Sequence, residues 1–260
     1  PVACGSLGQV HEAVLKSGKN LFLEKPMALS VKECRKLMEL EEKTGKMIFV
    51  GQTHQYRTSL RKAKEYISSG QIGTPSIIFN QVIAYYNWEQ RKPWFLDPKL
   101  SGGGALFNTT PHQIDHMLFL IDSPIVKVRG QVASLRPGVK IDSDSMAFVE
   151  YANGARGVVS TFQGTKLEPG FLKCRVLGTE GSVQFNPFGN ELEHLHLDQV
   201  DKIDCGENNP FEQEWIEFLN AMEQGRKPAT DSVYGHNVVA VLEAMVKSSE
   251  TGKEVKPSLL

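Results

Sequence analysis

Asn108, His112 and His116 recur every fourth residue within SGGGALFNTTPHQIDH (residues 101–116), so a helix there carries all three on one face. Just before them, Gly102, Gly103 and Gly104 remove every side chain at one point, which lets a ligand approach the backbone or the chain take a positive φ. Thr110-Pro111-His112-Gln113 reads as a second helix start, with Thr110 as cap, Pro111 in first position and Gln113 reaching back. The segment is therefore either one helix kinked at Pro111 or two short pieces. In the second case His112 sits at a helix N-terminus, whose dipole disfavours imidazolium. A neutral imidazole in a cleared cleft is what a general base requires. A buried histidine satisfied by hydrogen bonds in an ordinary core helix is the alternative.

Glu24-Lys25-Pro26 follows directly on the apolar stretch from Asn20 to Leu23. The carboxyl ends of strands in doubly wound sheets are where such folds bind ligands. Lys25 at that edge can orient a substrate oxygen, at a pKa lowered by burial or by nearby positive charge. A surface lysine in a turn fixed by Pro26 is the other possibility. Trp88, Trp94 and Phe95 either stack on a sugar ring or anchor their own loop. His194, His196 and Asp198 share a strand face suited to a metal or to an exposed edge, and His112, Asp115 and His116 lack a further ligand nearby. No metal is expected.

The elements that must hold these groups fall into two styles. A strand from Asn20 to Leu23, a helix capped by Ser30 with Glu33 and closed by Gly45, and a strand from Met47 to Val50 imply a parallel, doubly wound unit. Before them, Glu12 to Lys16 reads as a short helical stretch with Val10, Ala13 and Val14 apolar. After Gly51 come a helix from about Leu60 to Ile67, a long β-prone run from Pro75 to Tyr86, an irregular loop from Asn87 to Lys99, and β signals from Ile125 to Leu197. Asn153-Gly154 marks a hairpin. Two apolar helices, starting near Pro210 and Asp231, finish the chain. The expected fold is α/β plus α+β: a remnant doubly wound unit over residues 1–50, then an open, mostly antiparallel sheet with helices on one face over 51–260. Such a sheet leaves a second face to cover, and self-association covers it.

A net charge of −1 argues against nucleic acid or an anionic membrane as partner. No apolar run approaches membrane-spanning length. Cys4, Cys34, Cys174 and Cys205 lack Cys-x-x-Cys spacing, which points to a reducing, cytoplasmic setting. Pro1 opens inside an ongoing α/β pattern, so an upstream segment is expected.

The ordered set of EKP, then one helix and one strand, then Gly51-Gln52, His54 and Tyr56-Arg57, then WFLDPKLSGGGALFN-x3-HQID, and late GTEG before two helices resembles the Gfo/Idh/MocA family of oxidoreductases. The resemblance spans nearly the whole chain. It implies a Rossmann domain followed by an α+β domain whose open sheet forms homo-oligomers, here a dimer. It implies hydride transfer between NAD or NADP and a hydroxyl-bearing carbon of a small-molecule sugar, polyol or dihydrodiol. Carried over by motif, Lys25 would support the reacting oxygen, His112 would take the hydroxyl proton, and Asn108 stands where the family often has Asp. Glu24, Lys25 and Pro26 would line the cofactor, and His54, Arg57, Trp94, Asn108 and His112 the substrate. Three departures accompany the match. Asn108 carries no charge, Gln55 replaces an Arg of the family, and no Gly-x-Gly-x-x-Gly turn occurs in the sequence. A non-catalytic ligand-binding or oligomeric relative is the second reading, and NAD-assisted glycoside cleavage the third.

Overall fold

The computed structural model describes residues 16–134, 139–164 and 170–260. The helical stretch expected around Val10 to Leu15 lies outside them. β1 (Leu21–Glu24) and β2 (Ile48–Gly51) pair in parallel, joined by α1 (Val31–Thr44). The expected caps are both present: Ser30 accepts a hydrogen bond from the Glu33 amide, and the Gly45 N–H returns to the Glu41 carbonyl. Val31, Cys34 and Leu37, spaced by one helical turn, bury that helix against Leu21, Leu23, Ile48 and Val50.

A short 3-10 turn (Thr53–Tyr56) leads into α2 (Thr58–Ser68) and the long β3 (Pro75–Tyr85). Helical turns follow at Trp88–Gln90, Pro93–Leu96, Pro98–Ser101 and Ala105–Asn108, before α3 (Thr110–Ile121). Then come β4 (Ile125–Ala133), β5 (Asp144–Tyr151), β6 (Arg156–Gly164), β7 (Phe171–Gly178), β8 (Ser182–Phe185), β9 (Glu191–His196) and β10 (Gln199–Asp204). The chain ends with α4 (Pro210–Glu223) and α5 (Ser232–Thr251). β3 to β10 form one sheet in the order β10-β9-β8-β7-β3-β6-β5-β4, antiparallel except where β3 meets β6. The Asn153-Gly154 hairpin joins β5 to β6, with Gly154 at φ +85°, a conformation that favours glycine. β10 carries no period-two apolar signal, being QVDKID and largely exposed, which is why sequence alone passes over it.

One face of the sheet lies under α2, α3 and α5, with Ile78, Val149, Val159, Val176 and Val183 buried there. The other face is open. Phe79, Ile83, Met146, Phe148 and Phe171 are 39–57% exposed, and register sets Phe148 beside Val158 beside Phe79, and Phe162 beside Ile83 beside Phe171. α5 ties the two units together. Val238, Val241, Leu242 and Met245 belong to the core of the large sheet, while Val239 and Ala240 pack with β1, β2 and α1. This closure brings the carboxyl ends of β1 and β2 against the start of α3.

The segment 105–121 is two pieces, not one kinked helix. Its capping differs from expectation: Thr109 is the N-cap residue of α3, and no side chain caps it. Thr110 is the first helical residue, and its hydroxyl meets Ser145 and Thr161 of the sheet. Gln113 does not reach back, because its amide donates to the carbonyls of Asn80 and Ser160, 3.0 Å from each. Buried sheet carbonyls win over a local cap.

Candidate active site

The three glycines are cleared for protein rather than for a ligand. The Asp142 carboxylate accepts from the Gly104 and Leu106 amides at 2.7 and 2.6 Å, and the Asp142 carbonyl accepts from Ala105. A Cβ on Gly104 would stand 1.9 Å from that carbonyl oxygen. The loop before β5 thus docks on bare backbone and caps the turn that carries Asn108. Gly104→Ala is expected to displace this loop and destabilise the chain by about 3 kcal/mol, the upper part of the range for overpacking. Chemical denaturation monitored by tryptophan fluorescence measures it.

Asn108 is the meeting point of the two chemical motifs. Its carbonyl accepts a hydrogen bond from Lys25 Nζ at 2.5 Å, across 83 residues of sequence. Its side-chain amide donates to the Tyr86 hydroxyl and makes no bond to His112. Burial holds the Lys25 ammonium down to about 8, against the opposing pull of Glu24. His112, one turn after Asn108, is half-buried and stacked on His54 with ring centroids 3.8 Å apart. Its Nδ1 is buried without a hydrogen-bond partner. Burial first, then the positive charge of Lys25, the neighbouring His54 and His116, and Arg57 push its pKa well below the ordinary 6.5. The imidazole is therefore neutral, as the helix N-terminus also favours.

His54 is the end of a buried relay. The Gln113 amide nitrogen is fixed by the two carbonyls, which can only accept. Asn80 Nδ2 faces the Gln113 carbonyl at 3.4 Å and so donates to His116 Nδ1 at 3.1 Å. His116 then carries its proton on Nε2 and donates to His54 Nδ1 at 3.0 Å. Neutral His54 in turn holds its proton on Nε2. Burial, with His116, Arg57 and Lys25 in support, keeps His54 uncharged.

Gln55 spends its amide on Asp115 Oδ1 at 2.5 Å and the Tyr234 hydroxyl at 2.9 Å; Tyr234 also donates to Asp115. A cation there would compensate the carboxylate. Without one, burial drives Asp115 up to about 7, and Asp115 Oδ2 has no partner. Glu214, bonded by Thr53, is likewise raised to about 7 by burial.

Arg57 lies at the same place. Its guanidinium stands 4.1 Å from the centre of the Phe188 ring, and His54 packs nearly perpendicular to the same ring with centroids 4.9 Å apart. Of the aromatic loop, Trp88 is buried in a satellite core with Tyr86 and Ile141, against which Phe95 packs, whereas Trp94 is an outward residue set against Phe95. His194 bonds the Gln71 carbonyl and faces Asp201 at 4.0 Å. Among the described residues no three His, Cys, Asp or Glu side chains form a metal-holding group. An open cleft of about 800 Å³ between the end of α1 and the α4–α5 loop, near Glu42, Lys46 and Arg226, holds none of the unpartnered buried atoms. Asp142, Asn80 and Asp115 were not foreseeable as a set. Only Asp115 gives a signal, three residues after His112 and on the same helix.

The fold joins a parallel β-α-β unit to an open, mostly antiparallel eight-stranded sheet, and the site lies where the two meet. The family model for the GFO/IDH/MocA C-terminal domain matches residues 60–184, and that for the oxidoreductase family, NAD-binding Rossmann fold, matches residues 5–52. The chain belongs to the Gfo/Idh/MocA oxidoreductase family. It is 29% identical to 1-carboxy-3-chloro-3,4-dihydroxycyclo hexa-1,5-diene dehydrogenase of Comamonas testosteroni over 60% of this chain and 39% of that protein. It is 24% identical to D-xylose 1-dehydrogenase [NADP(+)] of Haloarcula marismortui, over 94% of this chain and 70% of that one. A levoglucosan dehydrogenase in complex with NADH and levoglucosan shares the fold at TM-score 0.88 and 21% identity, over 100% of this chain and 80% of that chain. Among the described residues no helix is long and apolar enough to cross a membrane.

Proposed function

We propose that the chain acts in an NAD(P)-dependent dehydrogenase that moves hydride between nicotinamide and a hydroxyl-bearing carbon of a sugar or cyclic alcohol. One observation carries the reading: a lysine of lowered pKa is tied to the residue one turn ahead of a neutral, half-buried imidazole. Residues 1–50 act as the tail of the dinucleotide-binding unit, and 51–260 as the substrate and oligomerisation domain. The residues at the strand end fit the nicotinamide end of the cofactor, since oxidation of a carbinol needs a cation for its oxygen and a base for its proton. Glu24, Lys25 and Pro26 would hold that end, and the bound nicotinamide supplies the hydride acceptor. Lys25 donates to the hydroxyl oxygen and stabilises developing alkoxide. His112 takes the hydroxyl proton on Nε2. His54 and Arg57 contact the rest of the substrate. Titration with NAD+ and NADP+ by calorimetry tests the reading, together with absorbance at the reduced-nicotinamide band on adding polyols. Saturable binding and reduction support it, and absence of both removes it.

The charge states set a pH profile. Lys25 works as its ammonium, so turnover is expected to fall as pH rises through about 8. His112 stays neutral at the ordinary imidazole value, so no acid limb attributable to it is expected at 6.5. A steady-state profile of kcat/KM reads both.

The open sheet face supports a homodimer, because its exposed apolar rows are contiguous across four strands, β5, β6, β3 and β7. Phe148→Glu is expected to shift the sedimentation coefficient to that of a monomer; an unchanged dimer rejects this face. The free thiols Cys34, Cys174 and Cys205 support a reducing, cytoplasmic setting.

A further inference from the structure

The wall of the site beside His112 presents hydrogen-bond donors. His54 offers a proton on Nε2 because the chain from the Gln113-facing carbonyls through Asn80 and His116 fixes its other nitrogen as an acceptor. Arg57 offers a guanidinium that forms no ion pair with any described residue, and its Nε is buried without a partner. Both groups pack on one ring: the centre of Phe188 lies 4.1 Å from the Arg57 guanidinium carbon and 4.9 Å from the centre of the His54 ring. The Arg57 amide also donates to the His54 carbonyl at 3.1 Å, which holds the two residues in one turn beside the site. Lys25, the other cation here, is committed to the Asn108 carbonyl and the reacting oxygen. A half-buried cation with no counter-ion is costly, and a ligand anion offsets that cost. An adjacent imidazole N–H and guanidinium together match the two oxygens of a carboxylate, which only accept.

We propose that the substrate carries a carboxylate, seated on His54 Nε2 and the Arg57 guanidinium beside the hydroxyl that His112 deprotonates. This rests on the dehydrogenase reading for the identity of the site, and adds the substrate class. His116 and Asn80 are positioning residues in it: they hold His54 in the donating tautomer and touch no substrate.

L-Tartrate and L-threitol share one carbon skeleton and differ in carboxylates, so they serve as probes. Calorimetry on the chain with NAD+ present is expected to show tartrate binding at least ten-fold tighter than threitol. Arg57→Gln is expected to erase that difference, while Arg57→Lys, which keeps the charge, retains part of it. His116→Leu is expected to weaken tartrate several-fold and leave threitol unchanged, which a general loss of structure would not do. Equal binding of the two probes, or an unaltered tartrate affinity in Arg57→Gln, overturns the proposal. Turnover separates the two levels. Reduction of NAD+ by myo-inositol as fast as by D-gluconate overturns the carboxylate and keeps the dehydrogenase. A tartrate preference without hydride transfer from any hydroxy compound keeps the carboxylate site and removes the dehydrogenase.

Discussion

His112→Asn is expected to lower kcat/KM by roughly 10²–10⁴-fold, the usual contribution of a positioned general base. Asparagine keeps the polar volume and removes the group that takes the proton. The stability cost should be small, because His112 Nδ1 has no hydrogen-bond partner to lose, although the stack on His54 goes. Steady-state kinetics with a thermal melt on the same sample separates the two effects. Activity lost without a large shift in Tm is the expected pattern, and full activity in this variant would remove His112 from the chemistry.

Lys25→Met is expected to cost about 10²–10³-fold in kcat, the scale of one preorganised donor to a developing oxyanion. Methionine fills similar space without charge. In the wild type, burial disfavours the ammonium, so the folded pKa, about 8, lies below the ordinary lysine value of 10.5. Between those values the unfolded chain binds more protons, and folding stability therefore rises with pH through that window. Lys25→Met should lose both that rise and the alkaline limb of the rate profile near pH 8. Retention of the limb would assign it to another group.

Much of this was written in local chemistry. Ser30, Glu33 and Gly45 specify both ends of α1, and Asn153-Gly154 specifies the β5–β6 hairpin, because each acts over a few residues. The convergence of Lys25 with the Asn108–His112 turn was legible through the family pattern of EKP and GGG motifs. What escaped the sequence depends on partners distant along the chain. The glycines read as room for a ligand or as a positive φ; Gly102 takes φ +78°, and Asp142 occupies the space beside Gly103 and Gly104. Gln113 read as a capping residue, yet sheet carbonyls from Asn80 and Ser160 claim its amide. Asn108 read as a substrate-lining side chain in the place of an Asp, yet its carbonyl holds Lys25 and its amide goes to Tyr86. No spacing rule reports which buried carbonyl lies across from which side chain.

The reading of His54 as an uncharged donor and His112 as the base follows from one asymmetry. His54 has His116 behind it to fix its tautomer, and His112 has nothing bonded at Nδ1. Two imidazoles stacked at 3.8 Å beside Lys25 and Arg57 cannot both accept a proton without strong repulsion. In the proposed reaction the stack therefore divides the labour, His54 for recognition and His112 for proton transfer.

The most direct measurement uses a cyclic or open-chain polyol, or its acid, deuterated at the carbinol carbons and incubated with NAD+ and the protein, with the reduced nicotinamide analysed by mass spectrometry. The label is expected in the reduced nicotinamide with the wild type, and at a rate lowered at least a hundred-fold with His112→Asn. Wild-type protein that binds both partners yet leaves all deuterium on carbon, or a His112→Asn variant that transfers it at the wild-type rate, would contradict the account.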